Sequence, residues 1–236
     1  MSRRRAKVKV LPTILLAVAV FIGVLAASIL IQLYSTSDFK GFSKEKVPDP
    51  VVTYLDSENA ASAGKEGVAV FDWQDHPVFI IGDSLTQGAQ KDIEKTIENT
   101  TIDSKTGRGM SAAVQILRDW KDTGALTDDA IIVVCLAHNI TNTTVADAQK
   151  VVDMIESGQS LIMMTGHGNR NMAPANEFIR NLPNVYTFVT VADWDLTIAQ
   201  SPGLLSSDGI HIAKGQGNQL YAELILRALE VAQPKP

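Results

Sequence analysis

Past residue 66 the chain alternates short apolar runs with longer amphipathic stretches. Val78 to Ile81 is a compact apolar run and predicts a strand, and the spacing from Ala89 to Glu98 predicts a helix. Thr101 to Ser104 reads as a second short strand. Ser111 to Lys121 reads as a helix that buries Ala112, Val114, Ile116 and Leu117. Ile131 to Leu136 is almost wholly apolar and β-branched, as a strand covered on both faces should be. A helix over Val145 to Glu156, a strand over Leu161 to Thr165, a helix over Ala175 to Asn181 and a strand over Val185 to Val191 follow. An amphipathic helix from Gly215 to Val231 closes the chain. Strand and helix in alternation predict an α/β fold, a parallel sheet with helices on both faces. Sites in such folds lie at the carboxyl ends of strands.

The first 66 residues follow different rules. Arg3, Arg4, Arg5, Lys7 and Lys9 precede an uncharged run from Val10 to Ser37 with its apolar heart at Leu11 to Tyr34. About 20 helical residues cross a bilayer, so 11–34 is expected to be a single membrane span, with 1–10 a cytoplasmic basic tail. A cleaved signal would have a shorter apolar core, and Ile29 to Leu33 carry the run beyond the small residues at Ala26 to Ser28. An uncleaved anchor is the expectation, with everything after it outside the cell. Residues 35–66 turn polar and are expected to form a stalk, which leaves 67–236 as one catalytic-size domain.

Composition narrows the classes further. Hydrophobic residues make up 45% and charged residues 20%, with a net charge of −5. Such a chain folds, and it lacks the basic stripe that nucleic acid requires. The single cysteine, Cys135, lies in a predicted strand and cannot form an internal disulfide. Four scattered histidines without a cluster at ligand spacing do not make a metal site, and no cofactor is expected.

The chemistry sits at strand exits. Gly82-Asp83-Ser84-Leu85 ends the first strand, where a glycine permits a sharp turn and a serine can be presented as a nucleophile. Asp208-Gly209-Ile210-His211 precedes the last helix. Across that spacing a carboxylate can hold one imidazole nitrogen while the other accepts a serine proton. Gly107 and Gly109, after the second strand, can offer backbone N–H groups to an oxyanion, and Asn139, after the apolar strand, can offer its amide.

In this order the four pieces resemble the SGNH (GDSL) hydrolase family. Phe79 to Gly88 looks like its first block, Gly107 or Gly109 its second, Asn139 its third, and Asp208 to His211 its last. The resemblance covers about Val78 to Leu226. It implies a three-layer α/β/α flavodoxin-like fold, with Ser84 as nucleophile, His211 as base and Asp208 as orienting acid. It also implies the Ser84 N–H, a block-two glycine N–H and the Asn139 amide as oxyanion donors. Ile102 to Arg108 and Val191 to Trp194 are similar to the SGNH domains of peptidoglycan and surface-polysaccharide O-acetyltransferases. The resemblance therefore implies a serine esterase or O-acyltransferase acting on an acylated cell-envelope glycan or a small ester. Because one span precedes the domain, a separate membrane acyltransferase or a small ester is expected to supply the acyl group. An inactive glycan-binding module and a lysophospholipase or thioesterase are the alternatives.

Some positions depart from the pattern or lie beside it. His138 stands where a threonine is usual; it either lines the pocket or faces solvent, and facing solvent is the expectation. His167 and Arg170, in the glycine-rich loop after a strand, are expected to touch substrate, with Asp83 and Gly109 beside them at the site. His76 is expected to be structural or exposed. Asn139-Ile140-Thr141 is a glycosylation sequon, and a glycan there would destroy an oxyanion donor. A bacterial cell surface therefore suits the sequence better than a eukaryotic one.

Overall fold

A computed structural model describes residues 49–54 and 71–236. The expected basic tail, the membrane span at 11–34 and the stalk other than 49–54 lie outside the described residues. Among the described residues no helix is long and apolar enough to cross a membrane.

Six strands form one sheet: β1 (Val52–Thr53), β2 (Val78–Gly82), β3 (Thr100–Ser104), β4 (Ile131–Cys135), β5 (Ser160–Met164) and β6 (Val189–Ala192). Their order is β1-β6-β5-β4-β2-β3. All pairs are parallel except β1 with β6. The parallel strands alone run in the flavodoxin-like order, with the topological switch point between β2 and β4. Gly82 pairs with Ser104 on one side and Cys135 on the other, so neighbouring carboxyl ends finish level. Val52–Thr53, within the range expected as stalk, is the antiparallel edge strand of this sheet.

Among the described residues six helices cover the sheet: α1 (Ser84–Thr96), α2 (Ser111–Asp122), α3 (Thr144–Asp153), α4 (Ala173–Asn181), α5 (Trp194–Ala199) and α6 (Gln216–Leu229). The period-two alternation of the strands sorts the core into two layers. Val78, Ile80, Ile131, Val133, Ile162 and Met164 face α1, α5 and α6. Phe79, Ile81, Ile132, Val134, Leu161 and Met163 face α2, α3 and α4. Burying each large aliphatic side chain contributes about 1.5–3 kcal/mol, and β4 is buried at every position. The observed architecture is thus the expected parallel sheet with helices on both faces, extended by one antiparallel edge strand that was not expected.

Three local expectations are corrected. The helix expected from Ala89 begins at Ser84, because the Asp83 carboxylate accepts from the Leu85 N–H at 2.9 Å and caps it. The strand expected from Val185 begins at Val189. Leu182–Asn184 forms a 3₁₀ turn, and Val185 is 63% exposed. In α2 the buried face is Ala113 and Leu117, so Ala112 lies to one side of it.

Candidate active site

Ser84 is the first residue of α1 and follows β2 at the switch point. The approach of β2 to α1 is so close that a Cβ on Gly82 would lie 2.2 Å from the Thr86 Cβ. Gly82 is therefore needed for space, and the turn into Ser84 demands no left-handed backbone there. Thr86 is held in turn by its hydroxyl, 3.0 Å from the Tyr221 hydroxyl on α6.

His211 arrives on a small hairpin closed by the Leu205–Ile212 bridge and by the Ser206 N–H on the His211 carbonyl. Its Nε2 lies 3.1 Å from Ser84 Oγ, and its Nδ1 lies 2.6 Å from Asp208 Oδ2. The other Asp208 oxygen accepts from the N–H groups of Ile210 and His211, each at 2.9 Å. The bond from His211, with these two backbone donors, holds the Asp208 carboxyl down at about 2. Ionised Asp208 faces Nδ1–H, which leaves the Nε2 lone pair for the serine proton. Residues 127 positions apart in sequence thus form one continuous chain of hydrogen bonds.

Asn139 leaves the neighbouring strand β4. Its Nδ2 donates to Asp83 Oδ2 at 3.0 Å and to the Arg108 carbonyl at 3.1 Å. Asp83 is fully buried, and that burial raises its carboxyl from 3.8 to about 6, against the bonds from Leu85 and Asn139 and the attraction of His211. Arg108 is itself tied back to β3 through Asp103, by its carbonyl at 2.6 Å and its carboxylate at 2.8 Å. Gly107, at φ +76°, is the left-handed residue of the exposed turn before Arg108. Gly109 lies against Asn139, with a Cβ position 3.0 Å from the Asn139 carbonyl oxygen. Of the two expected glycines, the structure brings Gly109 beside Asn139 and leaves Gly107 in the turn.

His138 does not face solvent as expected. It is buried, and neither ring nitrogen has a hydrogen-bond partner. Nδ1 is 3.7 Å from Asp83 Oδ2, too long for a hydrogen bond. Burial, reinforced by His167 and His211, pushes the ring down to about 3, so it is neutral. Gly166 packs against the backbone that leads into it, and its Cβ position would fall 2.1 Å from the Ala137 carbonyl oxygen and 3.1 Å from His138 N. His76 is structural, with Nδ1 3.0 Å from the Asp129 carbonyl oxygen and its ring 4.4 Å from that of Phe71.

Ser84, His211, His138, Asn139 and Arg170 line a cavity of about 120 Å³, joined by Met172 and Ile210. Arg170 is exposed at its rim. His167 is absent from that lining; its Nδ1 lies 2.9 Å from Asp195 Oδ1. A larger cavity of about 680 Å³, between Asp49 and α6, is lined by no serine, cysteine or histidine. Asp195 was not anticipated from the sequence; its position three residues past β6 and two after Asp193 was the available signal. Among the described residues no cluster could hold a metal ion.

No protein-family model matches the chain. Among solved structures, the C-terminal catalytic domain of Streptococcus pneumoniae peptidoglycan O-acetyltransferase A (OatA), with a methylsulfonyl adduct, superposes with a TM-score of 0.63 at 22% identity. The match covers 68% of this chain and 96% of that one. A member of the lipolytic protein G-D-S-L family from Veillonella parvula DSM 2008 superposes with a TM-score of 0.54 at 14% identity, over 64% of this chain and 97% of that one. The fold is that of the SGNH/GDSL proteins. In sequence the chain is 24% identical, over 153 residues, to YrhL of Bacillus subtilis (strain 168), whose name is putative peptidoglycan O-acetyltransferase. That stretch is 65% of this chain and 24% of YrhL, so the chain spans about a quarter of that relative's length.

Proposed function

We propose that the chain is a serine esterase or O-acetyltransferase that handles acetyl groups on cell-envelope glycan through an acyl-enzyme at Ser84. The hydrogen-bonded series Asp208–His211–Ser84 carries this reading. His211 Nε2 takes the Oγ proton as Oγ bonds to the ester carbonyl carbon, and Asp208 stabilises the imidazolium. His211 then returns that proton to the departing alcohol oxygen as the ester C–O bond breaks. Water or an acceptor hydroxyl next loses its proton to Nε2 and attacks the acyl carbon, and the proton goes back to Oγ. The N–H of Ser84 has no acceptor within α1, because it belongs to the first turn, and is free to meet the oxyanion. Gly109 N–H and the Asn139 amide are the other donors in this reading. Asn139 would have to share a hydrogen now given to Asp83 or Arg108, a tightening that binding of substrate commonly brings.

The size of the cavity supports a small acyl group. At about 120 Å³, beside Ser84 and His211, it suits an acetyl group better than a fatty chain. This argues against the lysophospholipase reading, while similarity to OatA and YrhL supports peptidoglycan or a related glycan as the carrier. Intact Ser84, His211 and Asp208 argue against an inactive glycan-binding module. For location, the proposal is a membrane anchor at 11–34 with the domain outside the cell, where a separate membrane acyltransferase or a small ester supplies the acyl group.

The test is to incubate the full-length chain with 4-nitrophenyl acetate, with and without chitotetraose, and to analyse peptides by mass spectrometry. An acetyl group on the Ser84 peptide is expected, lost to water alone in an esterase and passed to the sugar in a transferase. A chain that forms no acyl-enzyme and releases no nitrophenol overturns the proposal.

A further inference from the structure

Beside the site lies a second imidazole–carboxylate pair built like the first. His167 Nδ1 is 2.9 Å from Asp195 Oδ1, as His211 Nδ1 is 2.6 Å from Asp208 Oδ2. Burial alone would raise the Asp195 carboxyl, but the bonds from Arg180 and His167 more than offset this and hold it below the usual range. Arg180 donates to Asp195 Oδ2 at 2.8 Å and clasps Asp193 at 2.6 and 2.9 Å. Thr165 closes the arrangement, giving its hydroxyl proton to Asp193 and accepting from the Asp195 N–H. An ionised carboxylate only accepts, so Nδ1 carries the hydrogen, and in the neutral ring Nε2 presents a lone pair. A network of this extent fixes the ring far more firmly than one exposed partner would, since His167 is 25% exposed where His211 is 50%.

The location of the pair defines what it can meet. The loop that carries His167 continues into Asn169 and Arg170, which line the acyl cavity. A Cβ on Gly168 would lie 3.4 Å from the Ile210 side chain, in the hairpin that presents His211. The buried ring of His138 feels both His167 and His211. His167 therefore stands next to the cavity without lining it, where the part of an ester outside the acyl pocket must pass. That part is the alcohol.

We propose that His167, oriented by Asp195, binds a hydroxyl of the sugar that carries or receives the acyl group, with Nε2 accepting the hydroxyl proton. The inference rests on the ester chemistry assigned to Ser84 and adds the residue that recognises the alcohol side. The small ester 4-nitrophenyl acetate lacks any such hydroxyl, so the two substrates separate the roles.

The experiment measures kcat and KM of the full-length chain for 4-nitrophenyl acetate and for mono-O-acetylated chitotetraose. In His167→Ala the ratio of sugar-ester to nitrophenyl-ester kcat/KM is expected to fall at least tenfold, mainly through the KM of the sugar ester. His167→Gln, which keeps an acceptor oxygen, is expected to recover part of that ratio, and Asp195→Asn to fall between. If the ratio stays constant while both substrates lose activity together, His167 only braces the loop and the inference is overturned. A wild-type chain that turns over the nitrophenyl ester and ignores the sugar ester overturns it as well. Turnover of neither ester removes the underlying ester reading, a result distinct from both.

Discussion

The buried carboxylate of Asp83 accepts a 3.0 Å hydrogen bond from the side-chain amide of Asn139, joining the exits of β2 and β4 next to Ser84. The same carboxylate caps α1 through Leu85. One acid therefore sets both the start of the helix that bears Ser84 and the orientation of the Asn139 amide. Its ionised form is costly, because hydration has been removed and a histidine ring without a matching hydrogen bond is its other neighbour.

Stability should record that cost. Asp83 sits at about 6 in the folded chain against an ordinary 3.8, so the folded state holds its proton more tightly than the unfolded state. Its contribution is most favourable below about pH 4 and is lost as pH rises through 4 to 6. The difference is on the order of 3 kcal/mol above that window. Asp83→Asn cannot ionise. Relative to this variant, wild type should lose thermal stability between pH 4 and 6, read as the difference in Tm at each pH. A difference that does not vary with pH would show that Asp83 is not the buried acid.

Asn139→Ala tests the other end of the bond. If the amide meets the oxyanion, kcat should fall by about a hundredfold or more with KM little changed, as for loss of one such donor. If the amide only ties Asp83 to the Arg108 loop, Tm should drop while kcat stays within a few-fold. Steady-state kinetics and thermal melting on the same preparation separate the two.

Gly82→Ala should destabilise the chain by about 2 kcal/mol or more, because the new methyl would meet the rigid Cβ of Thr86 and not the tip of a mobile side chain. Thr86 cannot turn aside without breaking its bond to Tyr221. Chemical denaturation checks this. A variant as stable as wild type would mean that β2 and α1 can separate freely.

The pieces legible in the sequence were those carried by short strings. Asp208 and His211 are three residues apart and meet on one turn of chain, and Ser84 follows a compact apolar run that reads as a strand. The parallel sheet with helices on both faces followed from alternation, and its flavodoxin-like order from the family resemblance. What stayed hidden depends on contacts between distant segments. Asp83 read as part of a motif, and only the level ends of β2 and β4 bring it to Asn139. His138 read as exposed, since nothing local announces that the folded chain will bury it. The edge strand Val52–Thr53 is two residues long in a polar stretch, too short for any periodicity to show.

Cys135 should be inert in the native chain. It ends β4 wholly buried, and burial pushes its thiol up to about 12. Iodoacetamide at pH 8 is expected to label it only after unfolding, as intact-mass measurement would show, because the thiolate is the reactive form. Rapid labelling of the folded chain would mean that the strand opens at its carboxyl end, beside Ser84.

The decisive prediction concerns Ser84, His211 and Asp208 together. If they act as one unit, Ser84→Ala and His211→Ala should each lower kcat about a thousandfold or more, and the double variant should be little worse than either. Asp208→Asn should cost less, because the carboxylate orients the ring and stabilises its cation without receiving the serine proton. Only the neutral His211 ring can take that proton, so activity should rise with pH as the imidazolium is lost. Asp208, held at about 2, stays ionised across the range and adds no second step to that limb. Asp83 titrates at about 6, and Asp83→Asn removes that contribution: the rising limb should persist in that variant if His211 is its source. A sulfonyl fluoride should modify Ser84 once, and far more slowly in His211→Ala, because attack by Oγ needs its proton removed. Equal rates of modification in wild type and His211→Ala would break the link between the 3.1 Å contact and reactivity, and with it the assignment of His211 as the base.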